Sequence, residues 1–411
     1  MKFNFLGRVF RGDKVIWGIF IALSIISLLE VFSATSTIAY RQQNHWAPIL
    51  RHTTFLLIGF AAVMFLQRVR SRFFSILLLG IPVSAILLIV TMILGEDVNG
   101  AQRWLGIGAI TIQPSEIAKI SAIGFVAFFL SKMKPDNESW VFKTLIIGIV
   151  ILCMLIAPEN LSTACLLFGV CFLLMFIGQV KIKKLFMVAG FGILMAAMLY
   201  GSLTILPNDF SEKYLPGRLA TWKSRIERHS GDDKATMNAD GTIAYKITDD
   251  NFQVSHAKIA ISNGGIIGLP GSGSERDFLP QAYSDFIFAI ILEETGLLGG
   301  LVVLLLYIVL MFRCGTLALK CEKKFPRYLI LGSALILTIQ ALANMAVAVN
   351  LIPVTGQPLP LISRGGTSTI ITCAYFGIIL SCSSQLNGSD HEDVDESVAN
   401  VDFEPNENET E

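Results

Sequence analysis

The residues best suited to chemistry lie in one stretch, AKIAISNGGIIGLPGSGSERDFLPQAYSDFIFAIILEETG, residues 257–296. Near its end Asp285 stands where a polar segment gives way to an apolar run. Such a carboxylate has two uses. It can cap a helix and favour its dipole, worth roughly 1 kcal/mol. It can also act as general base toward a hydroxyl arriving from the polar side. The residues alone leave both open. Glu293 and Glu294 follow eight and nine positions later, which in a helix puts them roughly 12–14 Å deeper. Carboxylates at that depth call for a polar cavity or an ion pair. The glycines at 264, 265, 268, 271 and 273 do not spell GxxxxGK[ST], so tight backbone turns are indicated rather than a nucleotide cradle.

A second cluster, NGAQRWLGIGAITIQPSEIAKI at 99–120, runs into a helix opened by Pro114 and Ser115. Glu116 and Lys119 share one face of it at i,i+3. Either they form an ion pair that satisfies itself inside the protein, or Lys119 is turned toward a phosphate. Arg103 beside Trp104 has the makings of an interfacial anchor. A third cluster, NLIPVTGQPLPLISRGGTS at 350–368, holds Pro353, Arg364, Gly365 and Gly366. A non-helical stretch between apolar runs must be buried in protein or line a wet cavity, so this one frames a site without doing chemistry itself. Histidines 45, 52, 229, 256 and 391 fall in no metal-binding spacing. The seven cysteines match no zinc pattern, and the long polar segment contains none to crosslink.

The elements that must hold these residues are apolar helices. Of 411 residues 53% are hydrophobic and 16% charged, and the mean hydropathy is +0.62, far from a soluble domain. Runs at 73–94, 185–206, 286–312 and 328–352 approach or exceed the ~20 residues that cross a bilayer. Shorter ones at 15–32, 53–66, 117–130, 144–157, 161–177 and 367–381 bring the expected count to about ten. The first follows a basic, amphipathic 1–14 and has no clear cleavage site, so it reads as a retained helix rather than a signal peptide.

With the N-terminus cytoplasmic and the runs alternating, the inside segments carry eighteen Lys and Arg while the short outside loops carry four Arg. The positive-inside rule thus puts both termini in the cytoplasm and the long segment 205–284, between the seventh and eighth runs, outside. From Ser389 onward ten acidic residues and no Lys or Arg predict a disordered cytoplasmic tail, taken from 386 to 411. Nucleic acid is not an expected partner.

Together the three clusters resemble the SEDS family of bacterial membrane proteins, which includes FtsW, RodA and SpoVE. The likeness spans about 15–385 and rests on GAQRWL…QPSEIAK at 100–119, NGGIIG at 263–268, LPQAYSDFIFAIILEETG at 279–296 and PVTGQPLPLISRGGTS at 353–368. It implies an all-α ten-helix polytopic bundle in the bacterial inner membrane, with a large outer loop between helices seven and eight. It also implies a peptidoglycan glycosyltransferase that polymerises lipid II into β-1,4-linked glycan with inversion. In that reading Asp285 is the general base, taking the proton of a GlcNAc 4-hydroxyl.

Cations would meet the leaving undecaprenyl pyrophosphate: Lys119 first, held by Glu116, then Arg218, Lys258 and Arg276, with Arg103 nearby. No covalent cofactor is implied, but a divalent cation, Mg2+ or Mn2+, could ride on the pyrophosphate. The implied partners are lipid II, the growing glycan, a class B penicillin-binding transpeptidase and other division proteins. Overall likeness favours the division branch, of which FtsW is the type, and hence the septum. Where the family commonly has Pro-Glu-Ala-His-Thr-Asp, this chain has Pro280-Gln281-Ala282-Tyr283-Ser284-Asp285. Its Glu and His therefore have no counterpart here. Two rival functions fit the same charges: a lipid II flippase, and a non-catalytic scaffold for division proteins.

Overall fold

The computed structural model describes residues 9–34, 46–97, 102–107, 110–205, 236–237, 243–244, 247, 251–268, 275–279 and 283–399. Among these, seven apolar helices come first: α1 (Lys14–Ala34), α2 (Ala47–Leu66), α3 (Gly80–Leu94), α4 (Pro114–Ser131), α5 (Glu138–Ile156), α6 (Leu161–Ile177) and α7 (Ile182–Ile205). Two short helices follow, α8 (Phe252–Gly264) and α9 (Glu275–Phe278), and then α10 (Ile287–Lys320), α11 (Lys324–Ala348) and α12 (Thr367–Ala399). Eight are long and apolar enough to cross a membrane, counting α3 together with the 3-10 turns Ser71–Leu78 before it. With α6 at 17 residues and α7 at 24, the about ten apolar helices expected from the sequence are present.

Burial sorts these helices into a centre and a periphery. In α4 and α11 78% of the apolar window is buried, against 22% in α2. The outer helices instead expose Phe65, Leu94, Phe186 and Met187, a surface suited to hydrocarbon rather than water. Local sequence sets the ends. Pro114 opens α4 where no N–H is needed, and Glu116 lies in the first turn, favourable to the dipole. Asn160 caps α6 by accepting from Thr163 N at 3.1 Å. At the other end of the bundle Asp13 caps α1, its Oδ1 accepting from Val15 N at 3.0 Å and Ile16 N at 3.2 Å. Its carboxylate is also gripped by the Arg313 guanidinium of α10.

Three features depart from the sequence expectation. The run 73–94 is not one α-helix: it begins as 3-10 turns and becomes α-helical at Gly80. A Cβ there would come within 2.1 Å of Ser121 Oγ, so Gly80 permits the close approach of α4. The segment before α4 contains a small antiparallel sheet, β1 (Glu96–Asp97), β2 (Gln102–Ile107) and β3 (Ile110–Ile112), in the order β1-β2-β3. Last, α12 continues to Ala399, past the boundary expected at 386. Extending an existing helix needs no new nucleus, which is where the cost of a helix lies. Within the long loop a two-residue pair, β4 (Thr236–Met237) and β5 (Ile243–Ala244), and helices α8 and α9 are described.

Candidate active site

Asp285 lies in a turn at 283–286, half-buried, two residues before α10 begins. The capping position of α10 falls on Phe286, one residue beyond it. The first three carbonyls of this turn are each taken by a donor from α11 or from the segment 349–366 that follows it. Arg364 N donates to Tyr283 O at 2.9 Å, Ser363 Oγ to Ser284 O at 2.6 Å, and Asn344 Nδ2 to Asp285 O at 2.8 Å. The Arg364 guanidinium sits 5.2 Å from the centre of the Tyr283 ring. Ser284 Oγ donates to Asp285 Oδ1 at 3.1 Å. Each such bond is worth roughly 0.5–1.5 kcal/mol net. Their joint effect is to fix the backbone under a carboxylate that is not fully enclosed.

The segment supplying those donors is itself pinned along its length. Asn344 Nδ2 also donates to Gln357 O at 2.8 Å, and Gln357 Nε2 to Thr163 Oγ1 of α6 at 2.6 Å. Gln340 Nε2 donates to Pro358 O at 3.0 Å, the buried Tyr307 hydroxyl to Pro360 O, and Leu359 N to Ser363 Oγ at 2.8 Å. Pro353, Gly365 and Gly366 lie partly buried in this stretch, with Gly366 at φ +53°. A non-helical segment at membrane depth survives only when its polar groups are met in this way.

Lys119 joins the same network from α4. It is 1% exposed, pairs with Glu116 at 2.7 Å and donates to Gln340 Oε1 at 2.8 Å. Gln340 and Asn344 are one turn apart on α11, so hydrogen bonds and one helical turn connect Glu116 to the backbone of Asp285. The i,i+3 pair therefore satisfies itself inside the bundle, and Lys119 does not front an open surface.

Glu293 and Glu294 lie just before a break in α10, where Gly296 adopts φ +67°, ψ −171°. Two N–H groups past the break, those of Leu297 and Leu298, donate to Gly265 O at 3.1 Å and Ile266 O at 3.2 Å at the end of α8. A Cβ on Gly264 would stand 1.8 Å from Leu292 O, and one on Gly268 2.4 Å from Gly296 N. The glycines of NGGIIG thus serve close backbone approach to α10 rather than a phosphate. Glu294 accepts from the Ser33 hydroxyl of α1, and Glu293 Oε1 accepts from Glu275 N at 3.4 Å. Glu275 in turn pairs with His256 Nδ1 at 2.5 Å. Among the described residues no three His, Cys, Asp or Glu side chains gather as a metal would require.

Of the residues singled out in the sequence, Glu116, Lys119 and Asp285 belong to one network together with Gly365 and Gly366. Glu293 and Glu294 belong to the α8–α10 junction, and Lys258 lies half-buried on α8. The side chains of Arg103 and Arg276, and the whole of Arg218, lie outside the described residues. Sequence reasoning passed over Thr163, Gln340, Asn344 and Gln357, although Gln340 and Asn344 at i,i+4 in an apolar run mark a polar face. It also gave Arg364 no part beyond the frame, yet Arg364 holds the Asp285 turn from backbone and side chain alike.

The chain is similar to known proteins over nearly its whole length. The profile of the family described as cell cycle protein, comprising FtsW, RodA and SpoVE, matches residues 13–388. A probable peptidoglycan glycosyltransferase FtsW of Geobacter metallireducens is 29% identical over 403 residues, covering 95% of this chain and 100% of that one. The stage V sporulation protein E of Bacillus subtilis is 29% identical over 381 residues, covering 90% and 96%. Among solved structures, the rod shape determining protein RodA of Thermus thermophilus superimposes with a TM-score of 0.62 at 22% identity, covering 90% of this chain and 96% of that one. A structure described as "Structural coordination of polymerization and crosslinking by a peptidoglycan synthase complex" superimposes at 0.67 with 23% identity, covering 90% and 97%. With the family profile spanning nearly all of its apolar helices, the chain belongs to the FtsW/RodA/SpoVE family of membrane proteins.

Proposed function

We propose that the chain is a peptidoglycan glycosyltransferase that polymerises lipid II at the outer face of the bacterial inner membrane, with Asp285 as general base. The observation that carries this is the fixed turn at 283–286, which presents one half-buried carboxylate on a backbone clamped at three successive carbonyls. Asp285 removes the proton of the acceptor 4-hydroxyl, whose oxygen attacks the anomeric carbon of the donor. The α-linked pyrophosphate leaves and a β-1,4 bond forms, an inversion that needs one base and no enzyme nucleophile. A leaving pyrophosphate needs cationic stabilisation more than a proton. Arg364, partly exposed beside the same turn, is better situated for that than the enclosed Lys119. The names of the relatives, probable peptidoglycan glycosyltransferases, support this activity, and the similar structure described as coordinating polymerization and crosslinking supports work beside a crosslinking partner. Septal work with a class B transpeptidase is part of the same proposal.

Purified full-length protein with its transpeptidase partner, lipid II and Mg2+ or Mn2+ is expected to make glycan polymer. Asp285→Asn is expected to lower the rate by about 10²–10⁴-fold, the usual contribution of a general base, with thermal unfolding unchanged. Full activity of that variant would remove Asp285 from the chemistry. Lipid II crossing liposomes without polymer would instead select the flippase reading.

The outward placement of the long loop follows from the distribution of Lys and Arg. In a cysteine-free background, Ser230→Cys is expected to react with a membrane-impermeant maleimide in spheroplasts and Ser389→Cys only after lysis. The reverse pattern would invert the bundle and exclude an outer-face enzyme.

A further inference from the structure

At the end of the bundle opposite Asp285, α4, α6, α10 and α11 enclose a cleft of about 960 Å³, near the top of the range for ligand sites. Its walls are apolar, with Phe312, Leu319 and Leu331 among them, and Leu319 is 82% exposed. Gly315 of α10 faces it with nothing within 4 Å of where a Cβ would stand. Its rim carries Lys134, Lys181, Lys324 and Arg327 against one carboxylate, Glu138. That carboxylate is already held by Lys181 at 3.0 Å and by Lys184 at 3.1 Å.

Among the described residues no carboxylate pairs with Lys134, Lys324 or Arg327. Arg327 gives Nη2 to Cys321 O at 2.6 Å, while its buried Nε has no partner. The N-terminus of α11 opens at the same rim, with Lys323 in the capping position and no side-chain cap, so the positive end of its dipole adds to the cationic field.

We propose that this cleft binds an anionic phospholipid of the adjacent leaflet, its phosphate on Lys134, Lys324 and Arg327 and its acyl chains along Phe312, Leu319 and Leu331. The charge on the rim selects an anion, and the apolar walls open to hydrocarbon select one with a long tail. A soluble phosphate would satisfy only half of the surface. The helices that line the cleft, α10 and α11, carry the Gly296 break and Asn344 at their other ends. A lipid seated here would brace the pair that holds the Asp285 turn.

The test uses the purified full-length protein in detergent, with lipid retention read by native mass spectrometry and stability by thermal unfolding. Dioleoyl phosphatidylglycerol is expected to be retained and to raise Tm, whereas dioleoyl phosphatidylcholine does neither. The triple variant Lys134→Gln, Lys324→Gln, Arg327→Gln should lose retention by about tenfold or more, as juxtamembrane cations do. Gly315→Leu, which fills the cleft and leaves every charge in place, should lose it too, with its Tm in phosphatidylcholine equal to that of the wild type. Equal retention of the two lipids, or phosphatidylglycerol binding untouched by both variants, would overturn the proposal. Displacement of the lipid by millimolar glycerol phosphate or by equimolar lipid II would overturn it as well, reassigning the cleft to a phosphate or a substrate.

Discussion

Lys119 meets Glu116 and Gln340 rather than solvent, and that enclosure separates two roles a buried cation can have. If its work is to hold α4 to α11, Lys119→Met leaves Glu116 buried without a partner and costs roughly 3–5 kcal/mol. The apolar pair Glu116→Leu with Lys119→Met should recover much of that loss, as replaced buried ion pairs often do. Arg364→Gln is expected to behave in the opposite way, lowering polymerisation by about tenfold, the effect of one lost charge-assisted contact, with Tm nearly unchanged. Thermal unfolding and polymer assays on the four proteins check this. An inactive but fully stable Lys119→Met would return Lys119 to the substrate.

At this scale the sequence was informative about Asp285 and about the i,i+3 pair, because each sits at a visible polar-to-apolar step. It was less informative about Asn344, marked only by its i,i+4 spacing from Gln340, and about Gln357. Amides carry no charge, and their importance rests on partners distant in sequence: Asn344 reaches the Gln357 carbonyl 13 residues on, and Gln357 reaches the Thr163 hydroxyl of α6.

The break at Gly296 turns α10 into two pieces joined across α8. Legible in advance were the apolar runs on each side. The break was not, because Glu293-Glu294-Thr295-Gly296 has no proline and continues a helical pattern. The glycines at 264 and 268 looked like loop glycines for the same reason: the backbone they approach lies some 30 residues downstream, at Leu292 and Gly296. The geometry at Gly296 belongs to a region that only glycine occupies without strain, and a Cβ there would stand 2.4 Å from Ile266 O. Gly296→Ala is thus expected to cost about 3 kcal/mol or more, from backbone strain together with the clash. Hydrogen exchange should then show faster exchange at Leu297 and Leu298, whose N–H groups lose Gly265 and Ile266. Unchanged protection there would mean that the two pieces do not depend on α8. The small sheet β1-β2-β3 was missed on other grounds. Its strands are two, six and three residues long, too short for alternation to outweigh the apolar character of the neighbouring runs.

Across the whole molecule, the first helix is secured by the last ones. Asp13 accepts from its own helix, is gripped by Arg313 of α10, and its N–H donates to Ser383 Oγ of α12 at 3.0 Å. Burial works against its ionisation, but the Arg313 hydrogen bonds and charge, with the Ile16 and Val15 N–H groups, outweigh it and hold the carboxyl below the usual Asp range. A depressed pKa contributes stability that is present above the unfolded value near 3.9 and is lost as pH falls through the folded one. With Arg313 40% exposed, the cap and the screened pair together come to about 1–2 kcal/mol. The Tm gap between wild type and Asp13→Asn should therefore stay constant from about pH 5 to 8 and close below about pH 4. A gap that persisted in acid would assign the loss to packing.

The junction at Asp13 also orders events in time. A ribosome releases α1 long before it makes Arg313 or Ser383, so the earliest helix must wait in the lipid for nearly the whole chain. Until then Ser33 and the Asp13 cap of α1 have none of their partners from α10 or α12. Chains interrupted before Ser383 would lack the contact that ties the start of α1 to α12, so this seam closes only once α12 is made.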